Sequence, residues 1–291
     1  MSRGRIFLSL TVSVAALLGA AAPAQGAVTI GSNLATVHAD NMPGCNVPCT
    51  ATNLHLPAAN RAPGGLTSPV NGTVTSWRVR ANTGLNLSLR ILRPIGGLTY
   101  TGFGTSAPAS FPGPGISPFF PTSLPIEIGD SVGLNSPNGN LVLGAAPGAV
   151  QVFWNVPPLF DGFSRDPTGA GANREVLVQG VVEPTNTLTF EKLRRNKKKG
   201  VAFVPVNVPN PGELTFSGKQ LGLAGGASAS QAVSGPGEVI IRVKAKKKKA
   251  KKLKRKGKVK VKPVFKFTPT GGLTSTQATK FALKRKVKKK K

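Results

Sequence analysis

The sequence is poor in acidic residues, histidine, tyrosine and tryptophan, and these shortages bear directly on function. Its 291 residues include 10 Asp and Glu, two His, two Trp and one Tyr, against 39 Lys and Arg. It contains no nucleophile elbow (Gly-x-Ser-x-Gly), no zinc-protease pattern (His-Glu-x-x-His) and no phosphate-binding glycine loop. We therefore expect a protein that is not an enzyme and that needs no cofactor or metal.

Cysteine is equally scarce, with Cys45 and Cys49 as the two present. Outside the cytosol such a pair normally forms a disulfide, which we predict here. His38 and His55 flank the pair, so a Cys2His2 metal site is an alternative, but the spacing H-x6-C-x3-C-x5-H is not that of a zinc finger. Free thiols are the third possibility.

Long apolar runs are missing except at the N-terminus. Residues 1–26 have the three parts of a secretory signal peptide: two early arginines, an uncharged apolar run at Ile6–Leu18, and small residues that allow cleavage after Ala24 or Gly26. A retained membrane anchor is the alternative, but the run is shorter than the roughly 20 residues that span a bilayer. The sequence thus predicts a secreted or envelope-associated protein with no transmembrane span after cleavage.

Charge divides the chain abruptly. Residues 27–183 hold seven Arg, seven acidic residues and no Lys, whereas residues 184–291 hold 25 Lys and five Arg against three acidic residues. So sharp a change indicates a domain boundary. We predict a neutral domain over 27–183, a basic linker over 184–200, a basic domain over 201–284 and a disordered basic tail over 285–291.

The neutral domain has the pattern of an all-β fold, and we expect a jelly-roll-like β-sandwich. Short alternating runs are separated by turn residues, and no helical period is evident. In one run Thr73, Thr75, Trp77 and Val79 would share a face, and a turn at 82–84 predicts a hairpin to the next strand. The proline-rich stretch 103–125 predicts a rim loop and no central strand.

Four side chains of this domain are candidates for a site. Trp77 and Trp154 each lie in period two with valines, which favours core packing, although stacking on a glycan is the alternative. Asp161 and Asp166 place two carboxylates near each other, and we expect Arg165 to neutralise one of them. Spacing alone is weak support for a calcium or glycosidase site.

The basic domain also has the pattern of short strands, and we expect a small Ig-like sandwich with basic loops. Val201–Val208 and Glu213–Ser217 predict a hairpin, and Glu238–Val243 a third strand. Lys258–Phe267 alternates, with Val and Phe facing inward and Lys258, Lys260 and Lys262 facing outward.

Several segments resemble a known kind of secreted protein. Leu253 and Gly257 resemble the L-x(3)-G turn before the penultimate strand of bacterial Ig-like domains. More broadly, the chain is similar to secreted proteins of high-GC Gram-positive bacteria with a β-sandwich followed by a lysine-rich module. The matching segments are SPVNGTVTSWRVR, LSLRILRP, LPIEIGDSVGL, NKKKG (196–200), VPNPGELTFSG (208–218), LKRKGKVKVK (253–262) and FTPTGG (267–272). The resemblance implies a fold and export, with no activity and no functional residues.

Three basic clusters lie in the second domain, and their mutual repulsion leads us to expect an anionic partner. The candidate binding residues are Lys197, Lys198, Lys199, Lys246, Lys247, Lys248, Lys249, Lys251, Lys252, Lys254, Arg255, Lys256, Lys288, Lys289, Lys290 and Lys291. We expect an anionic wall polymer, an acidic polysaccharide or an anionic lipid surface, since lysine acts as a point charge without fixed geometry. The alternatives are sequence-independent binding of nucleic acid, and a carbohydrate-binding module or divergent glycan enzyme in the first domain.

Overall fold

The computed structural model describes residues 26–41, 45, 47–81, 84–139, 141–224 and 229–287, and its regular structure is almost entirely β-strand. The predicted all-β class is thereby confirmed. Residues 1–25 of the predicted signal peptide and the last four lysines lie outside the described residues. Within the described ranges, no helix combines the length and apolar character that crossing a bilayer requires.

Residues 26–184 form the first group of strands, which we call the N-terminal unit. Its strands are β1 (Val28–Gly31), β2 (His38–Asn41), β3 (Cys49–His55), β4 (Gly72–Ala81), β5 (Leu85–Gly96), β6 (Thr99–Thr105), β7 (Ala109–Phe111), β8 (Gly115–Ile116), β9 (Phe120–Ile126), β10 (Ser131–Ser136), β11 (Val142–Asn155), β12 (Ser164–Arg165), β13 (Gly169–Val176) and β14 (Val178–Pro184).

Two sheets of the N-terminal unit face each other across its main apolar core. One has the order β1-β14-β4-β8, with β9 also paired to β4; the other runs β12-β6-β5-β10-β3-β11-β13, with β2 on β11 and β7 on β5. Both sheets contribute to one buried cluster, from Trp77 on the first sheet to Leu89 on the second. The disulfide Cys45–Cys49, with Cα atoms 5.5 Å apart, is confirmed, and both cysteines are buried in this cluster.

The predicted hairpin between β4 and β5 is wrong, because these strands belong to different sheets. Trp77 and Val79 of β4 and Leu89 and Ile91 of β5 are all buried, as alternation predicts. Two alternating strands produce the same pattern whether they pair in one sheet or face each other across a core. The chain takes the second arrangement.

Two further predictions for this unit need correction. A bulge shifts the register of β4, so that Val74 is buried with Trp77 and the predicted face of Thr73 and Thr75 is interrupted. The stretch 103–125 is not a rim loop, because β7, β8 and most of β9 lie in it. Within the described residues β9 pairs with β4 alone, so its two prolines occupy an edge strand, where a missing N–H is tolerated.

Residues 185–287 form the second group, which we call the C-terminal unit. It consists of β15 (Thr189–Phe190), β16 (Arg194–Asn196), β17 (Val201–Val208), β18 (Gly212–Ser217), β19 (Leu221–Leu223), β20 (Ser230–Val233), β21 (Gly237–Ala245), α1 (Lys247–Lys256), β22 (Lys258–Val261), β23 (Val264–Pro269), β24 (Ser275–Ala278) and β25 (Phe281–Lys284).

Three sheets build the C-terminal unit around its own apolar cluster. Their orders are β15-β17-β21-β19 with β16 also on β17, β20-β18-β23-β24, and β22-β25. The predicted hairpin of β17 and β18 is therefore wrong in the same way as the first one. The predicted strand Lys258–Phe267 divides at Lys262 into β22 and β23, which join different sheets although their valines and phenylalanines are buried as expected.

The predicted basic linker, residues 184–200, is also wrong. β15 and β16 lie in it and pair with β17, and Leu188 is buried in the C-terminal core. Phe190 and Leu193 pack against the same core. Composition alone suggested a linker because the apolar residues of this segment are few and widely spaced.

A set of side-chain hydrogen bonds joins the two units, and we call it the junction. Asn210 is completely buried, and its Nδ2 donates to the carbonyl oxygens of Asn71 (2.8 Å) and Thr185 (2.7 Å). In return, the Asn71 backbone N–H donates to Asn210 Oδ1 at 2.6 Å, and Asn71 Nδ2 donates to Pro209 O at 2.8 Å. The connection between β17 and β18, predicted as a hairpin turn, thus holds the N-terminal unit.

One buried carboxyl group makes the stability of the N-terminal unit depend on pH. Glu175 on β13 is completely buried, and this burial raises its pKa. Thr36 and Asn60 act in the opposite direction with a smaller effect, and neither carboxyl oxygen of Glu175 has a hydrogen-bond partner within the described residues. The folded unit therefore favours the protonated acid.

We predict that Glu175→Gln stabilises the N-terminal unit at neutral pH. In the unfolded chain the carboxyl group has a pKa of about 4.3. As the pH rises above that value, ionisation favours the unfolded chain, and Gln removes this cost. The gain in unfolding temperature should appear between about pH 5 and 8 and vanish near pH 4. Tryptophan fluorescence measures it, because both tryptophans lie in this unit.

The matched control is Glu183→Gln, which changes an exposed carboxyl group on β14, the next strand along the chain. It should leave the unfolding temperature nearly unchanged across this range. A Glu175→Gln protein whose unfolding temperature follows wild type at every pH would contradict the prediction.

Candidate polyanion-binding pole

The C-terminal unit has two ends with different neighbours. β17 and β21 are antiparallel, with Val208 opposite Gly237 at one end and Val201 opposite Lys244 at the other. The first end leads into the junction. The second leads into α1, and the eight residues of β17 separate the two ends by about 25 Å.

The helix at this second end forms from an almost entirely cationic sequence, KKKAKKLKRK. Lys, Arg, Ala and Leu are all good helix formers. The Gln220 side chain accepts from the Lys249 backbone N–H at 3.1 Å, and Gly257, at φ +67°, ends the helix by donating to Leu253 O at 3.0 Å. The predicted L-x(3)-G turn is thus a helix end, and what was expected to be a basic loop is helical.

A single apolar residue attaches this helix to the protein. Leu253 is buried in the C-terminal core, while the cations on the rest of the helix point outward. Lysines four residues apart, such as Lys248 and Lys252, repel each other, and a helix of this length is marginal in isolation. The helix therefore depends on the packing of Leu253 in the core.

Two other basic segments meet the helix. The backbone N–H of Arg285 donates to Gly257 O at 2.8 Å, and that of Lys286 donates to Lys197 O at 2.9 Å. Arg285 and Lys286 are therefore held in place, which corrects the prediction of a disordered tail from residue 285. The turn 197–200, residues 246–256 with α1, and residues 284–287 together form one surface, which we call the basic pole.

The pole gathers most of the predicted binding residues. Apart from the half-buried Lys249, those described are exposed; they are Lys197, Lys198, Lys199, Lys246, Lys247, Lys248, Lys249, Lys251, Lys252, Lys254, Arg255 and Lys256. The predicted residues Lys288, Lys289, Lys290 and Lys291 lie outside the described residues. Three clusters that are far apart in sequence thus become one surface.

The acidic residues of the C-terminal unit lie toward the junction. Glu191 accepts a hydrogen bond from Asn207 Nδ2 at 3.0 Å, and Glu238 is the strand partner of Asn207. Glu213 follows Gly212, the first residue of β18, at the end of the junction turn. In residues 184–224 and 229–287, no lysine or arginine forms an ion pair with them. The pole cations consequently have no carboxylate partner in the described chain.

Beside the pole lies a groove of about 640 Å³ with a basic rim and an apolar floor. Strand register places Arg194, Phe203 and Arg242 side by side on β16, β17 and β21. The Arg242 guanidinium lies 5.8 Å from the centre of the Phe203 ring. The other residues that line the groove are Arg195, Asn196, Lys197, Lys198, Ile240 and Lys286.

Sequence reasoning missed Arg194, Arg195 and Arg242 because it followed lysine density. It also did not single out Phe203, whose ring is only partly buried and lies in the groove. The available signal was the alternation of β17, in which Ala202 and Val204 are buried and Phe203 lies on the opposite face. A second groove, of about 520 Å³, includes the outward lysines of β22 that the alternation predicted.

Neither tryptophan can act as a glycan platform. Trp77 packs against Phe120 with ring centres 4.9 Å apart, and Trp154 packs edge-on against Tyr100 at 5.5 Å. Both are buried in apolar clusters, and Trp154 Nε1 donates to Arg165 O at 3.2 Å. With no ring face open to a sugar, the glycan-contact alternative fails at both positions.

The carboxylates of 161–166 are already bound to other groups. Asp161 pairs with the buried guanidinium of Arg90 and accepts from Thr105, and Asp166 accepts from Thr99. Burial lowers the pKa of Arg90, and the adjacent carboxylate acts against that shift. The expected role of Arg165 is wrong, because its guanidinium donates to backbone carbonyls instead. This pair serves to hold a loop.

Comparison with known proteins adds no family: the chain matches no protein-family model and no curated protein.

We predict that Leu253→Ala detaches the helix from the C-terminal unit. Removing a buried leucine side chain costs about 2–4 kcal/mol. The amides of residues 247–262 should then exchange with solvent roughly 30-fold faster or more. Hydrogen exchange measured by mass spectrometry checks this. The control Lys252→Ala changes an exposed neighbour and should shift exchange little, whereas equal exchange in both variants would contradict Leu253 as the anchor.

Proposed function

We propose that this chain is an exported, non-enzymatic binding protein that attaches through its basic pole to anionic polymers of the cell envelope. In this proposal residues 1–26 direct export, and the disulfide is compatible with an oxidising compartment. The N-terminal unit is a jelly-roll-like sandwich and the C-terminal unit an Ig-like one.

The separation of charge along the C-terminal unit is the observation that carries this proposal. Its cations are concentrated at the pole, and its acidic residues lie toward the junction about 25 Å away. A negatively charged surface therefore attracts one end of the molecule and not the other. The neutral N-terminal unit is then held away from that surface.

Lysine predominance favours attachment to a polymer with no fixed geometry. Each lysine near an anionic surface contributes about 1 kcal/mol, and each acts as a hydrated point charge. Attraction of this kind weakens as salt screens it, with a screening length of about 8 Å at physiological ionic strength. Binding should therefore be strong in low salt and reversible by adding salt.

The junction supports a display role for the N-terminal unit. Asn71 and Asn210 exchange two hydrogen bonds, Asn71 donates a third to Pro209 O, and the Asn210 side chain is fully buried between the units. Moving the units apart would break these hydrogen bonds, and a buried amide group left without a partner costs free energy. The two units are thus joined by specific contacts in addition to the continuous chain.

We predict that Lys252→Gln with Lys256→Gln weakens binding to purified cell envelopes. At about 1 kcal/mol per lysine, affinity falls roughly 30-fold in low salt. Co-sedimentation over a salt series measures this with the mature chain. The control Lys192→Gln with Lys266→Gln removes the same charge from exposed positions outside the pole and should cost far less.

Two results would contradict the proposal. Equal losses in both double variants would mean that total charge, and not the pole, determines attachment. Retention of the wild-type protein on envelopes in molar salt would mean that the attachment is not electrostatic.

A further inference from the structure

The groove beside the pole differs in chemistry from the rest of the basic surface. Three of the five arginines in residues 184–291 line it, whereas α1 carries seven lysines and one arginine. Arginine offers a planar fork of donors that grips two oxygens of one anion, which lysine does not. The groove is therefore built for a defined contact.

The donors of the groove are free to bind. Within the described residues, the guanidinium groups of Arg194 and Arg242 donate no hydrogen bond to the protein, and that of Arg195 uses only its Nε, which donates to Ala282 O at 3.0 Å. Arg194 and Arg242 approach from opposite sides of Phe203, on the two strands that flank β17. An anion above the phenyl ring is thus within reach of guanidinium groups on both sides.

The floor of the groove favours a ligand with a carbon skeleton. Phe203 and Ile240 form it, and Ile240 is 45% exposed. Exposed apolar surface beneath a cationic rim matches an anionic group attached to an aliphatic chain. A bare inorganic anion would leave this floor uncovered.

The position of the donors favours phosphate over carboxylate. A carboxylate presents its two oxygens in one plane, which matches the plane of a single guanidinium fork. A phosphodiester presents its oxygens tetrahedrally, out of one plane, so donors from opposite sides can bind the same group. Lys197, Lys198 and Lys286 at the rim add charge for the neighbouring phosphates of a chain.

We infer that this groove binds a phosphodiester unit of a polyol-phosphate polymer, with the phosphate between Arg194 and Arg242 and the polyol carbons over Phe203. This inference rests on the proposed attachment to an anionic polymer and names its chemical class. The pole lysines supply attraction to any polyanion, and the groove supplies preference for phosphodiesters.

The test compares soluble poly(glycerol phosphate) with poly(glutamate) of similar charge and length, by titration calorimetry in 0.15 M salt. The variant Arg194→Lys with Arg242→Lys keeps the charge and removes both forks. We expect its affinity for poly(glycerol phosphate) to fall about tenfold and its preference over poly(glutamate) to disappear. The control Arg174→Lys changes an arginine on β13 of the N-terminal unit, outside both the pole and the groove, and should bind as wild type.

The outcomes separate this inference from the proposed function. If Lys252→Gln with Lys256→Gln weakens both polymers equally while the arginine variant matches wild type, the pole binds and the groove inference is wrong. If wild type binds neither polymer, the proposed function itself fails. Stronger binding to oligo(dT) or to phosphatidylglycerol vesicles than to poly(glycerol phosphate) would overturn the choice of polymer.

Discussion

Repulsion among like charges is the constraint on which the C-terminal unit depends. A net charge of +27 over residues 184–291 opposes compaction, and the fold lowers this cost by gathering cations where solvent and counter-ions reach them. The β-strands beneath bury an ordinary apolar core. One leucine, Leu253, connects that core to the most highly charged element.

The two ends of the C-terminal unit have different neighbours, and strand direction determines which end has which neighbour. Antiparallel pairing of β17 and β21 places the β17–β18 connection at one end and the approach to α1 at the other. Asn210 in that connection binds the N-terminal unit, and α1 carries the charge. The same strands that form the core thus set the distance between the junction and the charged helix.

Alternation in the sequence predicted which residues are buried better than it predicted which strands pair. Phe265 and Phe267 are buried as expected, and so are Leu89 and Ile91. Both predicted hairpins failed, because alternation looks the same for paired strands and for strands facing each other across a core. Which arrangement forms depends on distant partners, such as Asn71 for the turn at Asn210, and these cannot be identified from local pattern.

The candidate site was predictable in composition but not in shape. Lysine density identified the pole residues, whereas the groove required the register of β16, β17 and β21, which brings Arg194 beside Phe203 and Arg242.

The most direct test of oriented attachment through the pole is lysine acetylation, measured by mass spectrometry on the free protein and on the protein bound to cell envelopes. We predict that binding protects the lysines of α1 and leaves Lys192 and Lys266 reactive. Equal protection at all these lysines, or reactive lysines on α1 in the bound protein, would contradict oriented attachment through the pole.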